Sequence, residues 1–464
     1  MKKWIGCLCI AGAGWSTGAL ADNVFQYFQG KAAAIQLPIA DAAFKAKNYQ
    51  KALDIYKPLA EKGDARAEYQ LAYLYLNGLG VSKNPSLAAA WFMKAGSLGL
   101  ADAQFALATL YYQGVGIEQG LTQAITLYTQ AANNGNPLAE YMMGYLSENG
   151  FGLPKDYNVI LDWYGKSAAA GVPDAQYNLG LLYYKGLGVQ KDSARAFTLF
   201  NQAAQKGLAK AEFMLGVIYS MERADKNQAF NWYARAAEKG LPEAQYNLGV
   251  MYYNGYGTAP NLRTAVSWIK KATDQGLPRA QYVTGYLLYN GAGYPKDVGQ
   301  AVTWYQKAAM QNSADAEFAL GYLYHNGLGV PKDERQALAW LMLAAKQGLA
   351  NAQYMVGLFY QQGLGVPSDL KAAISWYTLA AQQGMDNAQL LLGAMYSQGQ
   401  GVAKDYRSAY AWLNLASTSS NPQIRDSAIK MRDDMAKSMT PADIGTAKQM
   451  SEVYYSKYAT PGAR

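Results

Sequence analysis

AQYNLGVMYYNGYGTAPNLRTAVSWIKKATDQG, residues 244–276, is the phrase from which most of this chain is written. An alanine followed two residues later by an aromatic opens a copy at Ala67, Ala103, Ala139, Ala175, Ala211, Ala244, Ala280, Ala316 and Ala352, and a weaker tenth copy opens at Ala388. The interval is 36 residues, except for 33 between Ala211 and Ala244. A fixed period of this size marks a repeat array, in which each unit buries its apolar face against the next one.

Each copy reads as helix, loop, helix. In the copy opening at Ala175 the first helix carries Tyr177, Leu179, Gly180 and Tyr183 two, four, five and eight residues on. The fifth-place glycine recurs as Gly144, Gly216, Gly249, Gly285, Gly321, Gly357 and Gly393, with Ala72 and Ala108 in the first two copies. A glycine inside a helix costs about 1 kcal/mol relative to alanine, so its repetition predicts close contact with another helix. A Gly-x-Gly loop such as Gly186-Leu187-Gly188 ends the first helix, and the Lys-Asp pairs 155–156, 191–192, 296–297, 332–333 and 404–405 set an aspartate to cap the second. These glycines serve a tight reversal; loops that cradle phosphate follow a strand instead. Trp91, Trp163, Trp232, Trp268, Trp304, Trp340, Trp376 and Trp412 share one register of the second helix, and the repetition reads as a packing wedge. The copy at 211–240 lacks the Gly-x-Gly loop and has Met221 to Asp225 in its place, which reads as a change of loop and not as a domain boundary.

The ends differ from the middle. Met1-Lys2-Lys3, the apolar stretch Trp4 to Ala13 and Ala19-Leu20-Ala21 match the parts of a secretory signal, with cleavage expected after Ala21. That would remove Cys7 and Cys9, the only cysteines, and with them any disulfide, thiolate metal site or cysteine nucleophile. Residues 22–64 read as an N-terminal lead-in with a capping helix pair, 65–420 as the repeat array and 421–464 as C-terminal capping helices. The formal charge of +8 includes Lys2 and Lys3 and forms no long basic run, which argues against nucleic acid as a partner.

The phrase A-x-Y-x-L-G-x-x-Y-x-x-G-x-G-V-x-K-D…A-x-x-W-Y-x-x-A-A-x-x-G, traced in Ala175 to Gly207 and Ala316 to Gly348, resembles the Sel-one-like repeat, a relative of the tetratricopeptide repeat. The resemblance implies an all-α fold: a right-handed α/α solenoid superhelix of about ten 36-residue helix-turn-helix repeats with terminal capping helices. It also implies an exported bacterial adaptor that binds proteins or peptides, in envelope assembly, exopolysaccharide systems or host contact. Periplasmic residence or secretion in a Gram-negative bacterium is the expected location, with no membrane span left after cleavage. Some cysteine-rich members of the family are associated with β-lactam binding, which the absence of cysteine from the expected mature chain does not favour.

If the first helices line the concave side, residues two, six and nine after each opening alanine face the groove. The central repeats then offer Tyr246, Tyr253, Tyr282, Tyr286, Tyr289, Tyr322 and His325, beside an asparagine ladder of Asn254, Asn290 and Asn326. Tyrosine gives large contact area at small entropic cost, and asparagine amides pair with an extended peptide backbone. The competing reading is that these tyrosines only fill a tightly wound array. His325 is the sole histidine, so neither a His-based zinc site nor a catalytic triad can form around it, and it is expected to be exposed or to touch peptide. Neither a catalytic residue, a cofactor nor a metal is expected. The reading is a non-enzymatic scaffold for a protein or peptide partner. The alternatives are a module binding envelope glycan or peptidoglycan and, lower, a cell-wall or β-lactam hydrolase.

Overall fold

The computed structural model describes residues 34–458, so the expected signal segment and the start of the lead-in lie outside the described residues. Among these residues there are 24 helices and no strand. Packing divides the chain into two compact units, Met1–Leu215 and Gly216–Arg464. The divide falls within the helix Ala209–Met221 of the shortened copy. Elsewhere the second loop glycine rests on the start of the preceding repeat's second helix, as Gly365 does on Glu334; the connection Met221 to Asp225 has no such loop.

Within each unit the helices pack in sequence order as an all-α solenoid. The first unit opens with helices at 34–45 and Tyr49–Glu61 and continues through pairs such as Pro137–Asn149 with Tyr157–Ala169. The second runs through Pro242–Asn254 with Leu262–Asp274, Pro278–Asn290 with Val298–Ala309, Ala314–Asn326 with Glu334–Lys346, Ala350–Gln362 with Leu370–Gln382, and Asp386–Gln398 with Tyr406–Ala416. Helices Pro422–Ala436 and Pro441–Tyr458 follow. The local signals act as written. Asp297 accepts a hydrogen bond from the Gln300 backbone N–H at 2.8 Å, satisfying a donor that the helix start leaves unpaired. Gly255 ends its helix at φ 71°, where a side chain would be strained.

The core is built from a small row against a large one. The opening alanines are buried, and beside them the fifth-place glycine meets a large side chain of the second helix. A Cβ added to Gly357 would lie 2.6 Å from the Tyr377 ring, and one on Gly285 2.8 Å from Tyr305. Here the structure corrects the expected wedge. The residue that fills the glycine's notch is the one after the tryptophan: Tyr164, Tyr233, Ile269, Tyr305, Leu341, Tyr377 or Leu413. The tryptophans themselves are half-buried, apart from Trp412. Geometry explains the difference. Ala265, Ile269 and Ala272 are spaced four and three apart on one helical face, whereas Trp268 sits about 100° round at its edge.

A second row is polar. One residue after each opening alanine stands a glutamine or glutamate, mostly buried, and in the second unit each of four is held by a glutamine at the end of its own repeat. Gln275 Nε2 donates to Gln245 Oε1 at 2.8 Å and to the Gly240 carbonyl of the preceding repeat at 3.0 Å. Gln311 repeats both bonds with Gln281 and Gly276. Gln347 and Gln383 donate to Glu317 and Gln353, at 2.8 Å each. Buried amides left unpaired would cost stability, so this seam ties neighbouring repeats in register.

Candidate functional site

The first helices expose an aromatic row where they are not covered by a second helix. Tyr253, Tyr286 and Tyr322 are 47%, 48% and 44% exposed. Tyr246, Tyr282 and Tyr289 are half-buried. Tyr282 packs its ring 5.6 Å from that of Tyr305, and burial pushes its hydroxyl pKa up, with Asp315 adding to the effect. Burial also raises Tyr246, with Arg279 opposing and Asp315 reinforcing. Both rings pack against the buried core of their repeats.

The asparagine ladder is a local device. Asn254, Asn290 and Asn326 each donate an amide N–H to the carbonyl four residues back, of Val250, Tyr286 and Tyr322, at 2.8–3.0 Å. Each amide thus folds back onto the last turn of its own helix. His325 is likewise engaged and not exposed. Its Nδ1 lies 2.7 Å from Glu334 Oε2, and its ring stands 5.1 Å from Phe359. Burial pulls the Glu334 carboxyl up, but hydrogen bonds from His325 and Lys332 outweigh it and hold the group below the usual glutamate range.

Three of the expected residues come together. Tyr253 and Asn254 from one first helix and Tyr286 from the next rim a cleft of about 200 Å³. Val250, Val283 and Leu287 form its walls and Ile269 its floor. The cleft exists because of Ile269. At the equivalent place Tyr164 extends a hydroxyl that donates to Glu148 Oε2 at 2.7 Å and accepts from Asn178 Nδ2 of the next first helix at 3.0 Å. Tyr377 donates to Gln361 Oε1 at 2.6 Å in the same way. Leu341 is also short, but Phe359 shares its core cluster and is itself backed by the His325 ring. Ile269 has neither a ring nor a hydroxyl, and its neighbour Leu287 does not replace them. The result is an apolar hollow with a polar rim, suited to one apolar side chain of an extended partner. Larger, shallower hollows lie at the loops, one between Tyr112, Gln119, Leu121 and Phe151 and one around Tyr360, Pro367, Asp369 and Lys371. Among the described residues no group of three or more His, Cys, Asp or Glu side chains is placed to hold a metal ion.

The Sel1 repeat family model matches residues 44–64, 65–100, 101–136, 137–172, 173–208, 209–241, 242–277, 278–313, 314–349, 350–385 and 386–421. The chain is similar in structure to a protective antigen present in uropathogenic Escherichia coli strains that displays an SLR fold. Identity is 31% and the TM-score 0.76, over 94% of this chain and 95% of that one. It is also similar to a Sel1 repeat protein from Oxalobacter formigenes, at 28% identity and a TM-score of 0.50, over 70% of this chain and 93% of that one. No curated protein matches. Eleven matched repeats from residue 44 to 421 place the chain in the Sel1 repeat family.

Proposed function

We propose that this protein is an exported scaffold that captures an extended peptide segment of a partner protein on the first-helix face of its second unit. Sel1 repeat proteins generally act as protein–protein interaction scaffolds and are typically non-enzymatic. The observation that carries the reading is the cleft over Ile269, flanked by the exposed Tyr253 and Tyr286 in consecutive repeats. Export rests on the signal-like residues 1–21, and the E. coli relative's description as a protective antigen supports it. Among the described residues no helix is long and apolar enough to cross a membrane.

The test is affinity capture from an envelope extract by the parent chain, by Tyr253→Ala with Tyr286→Ala, and by Ile269→Tyr. The last variant installs the residue that stands over the equivalent glycine at Tyr305 and Tyr377, and so closes the cleft while keeping the packing. The expected result is a protein partner held by the parent and lost by both variants at unchanged thermal stability. A partner retained by Ile269→Tyr would overturn the site. Binding only to purified peptidoglycan would favour the glycan reading.

A further inference from the structure

The half-buried tryptophans share one register of the second helices, and most of them carry a lid. Three residues after the tryptophan a cation lies over the ring: Lys94 on Trp91 at 4.1 Å, Lys166 on Trp163 at 4.7 Å, Arg235 on Trp232 at 4.5 Å, Lys271 on Trp268 at 3.6 Å and Lys307 on Trp304 at 4.1 Å. Such pairs shield an aromatic face while keeping it wetted and charged. The last three repeats replace the cation with leucine, giving Trp340 with Leu343, Trp376 with Leu379 and Trp412 with Leu415.

The third of these pairs shows what such a surface accepts. Trp412 and Leu415 are only 4% and 2% exposed. The helix Pro441–Tyr458 lies on Tyr406–Ala416 and reaches Leu370–Gln382. It places Tyr454 and Tyr458, four residues apart and thus on one face, 4.6 and 5.9 Å from the Trp412 ring. The two preceding pairs have the same residues in the same register, and their leucines stay open to solvent, Leu343 at 45% and Leu379 at 44% exposed. The exposed charged side chains within their two helices are all basic, Arg335, Lys346 and Lys371, and the cap carboxylates Asp333 and Asp369 are held by backbone N–H groups of the helix starts. The one carboxylate within the two helices, Glu334, is taken up by His325 and Lys332.

We propose that Trp340, Leu343, Trp376 and Leu379 form a docking surface for an acidic amphipathic helix of another protein that presents two aromatic side chains four residues apart. The site extends an interface that the chain already makes with its own last helix, and the basic flank selects the charge of the incoming one. It is separate from the first-helix cleft and does not depend on it.

The probe is a dye-labelled synthetic peptide of residues 441–458 carrying Lys448→Glu and Lys457→Glu, titrated into the full chain and followed by fluorescence anisotropy. The decisive variant is Leu343→Lys with Leu379→Lys, which rebuilds the tryptophan–cation pair used by five other repeats and should melt like the parent. Saturable binding weakened at least about tenfold by that variant, and by Tyr454→Ala with Tyr458→Ala in the peptide, supports the proposal. Retention of binding by the Ile269→Tyr chain would keep it distinct from the cleft. Equal binding to parent and double-lysine variant, as displacement of the chain's own helix from Trp412 would produce, overturns it. Absence of saturable binding to the parent does the same.

Discussion

Gly357→Ala tests the packing rule on which the array depends. A Cβ at this position would sit 2.6 Å from Cδ1 and Cε1 of Tyr377, about 1 Å inside ordinary carbon–carbon contact. The ring is fully buried and its hydroxyl is tied to Gln361, so it cannot swing clear without breaking a hydrogen bond. Overpacking of this kind costs about 1–3 kcal/mol. Alanine returns about 1 kcal/mol in helix propensity, and Ala72 and Ala108 show that a helix pair can be spaced to seat a methyl. The net expectation is a loss of up to about 2 kcal/mol. Gly165→Ala is the control, because nothing lies within 4 Å of its added Cβ, and it should gain up to about 1 kcal/mol. Repeat arrays unfold regionally, so urea denaturation should be paired with hydrogen exchange, read on Ala350–Gln382 for the first variant and on Tyr157–Ala169 for the second. If Gly357→Ala stabilises its repeat as Gly165→Ala does, the wedge is not what requires glycine.

Two further outcomes follow from the same rows. Tyr377→Ala should cost about 3–5 kcal/mol locally, while the half-exposed Trp376→Ala should cost clearly less; a comparison of their urea midpoints decides, and equal losses would restore the tryptophan as the wedge. Burial raises the Glu317 pKa, with the Gln347 hydrogen bond opposing, so the folded chain holds this proton to higher pH than the unfolded chain does. Stability is then complete below the usual glutamate range and falls as pH rises through the folded value. Glu317→Gln recreates the Gln281–Gln311 pair and should melt higher than the parent at pH 7 but not at pH 4, and a gain that is the same at both would refute the linkage.

The repeat period, the capping aspartates and the steric role of the fifth-place glycine were legible because each follows from backbone geometry shared by every copy. The wedge was misread because tryptophan draws attention by size, whereas burial follows helical phase. The next position is aromatic or aliphatic in all ten copies, Phe92 through Leu413, and that regularity was the better signal. The polar seam escaped an apolar-pattern reading altogether, although Gln or Glu follows the opening alanine every time. The cleft was half legible. Tyr253, Asn254 and Tyr286 were singled out, but the hollow between them opens over Ile269, where most copies carry a ring, and that contrast is visible only when the repeats are laid over each other. The asparagines looked like a ladder because their spacing is regular, yet regular spacing arises equally from a repeated helix end.

The amide seam also bears on how the array changes length. Gln245 with Gln275 and Gln281 with Gln311 present the same donors and acceptors to their neighbours, spaced one unit apart. Excision or duplication of a 36-residue segment between them rejoins like with like, leaving no orphaned amide at the splice. Unequal exchange at the DNA level can therefore add or remove whole binding positions without a repair elsewhere in the fold.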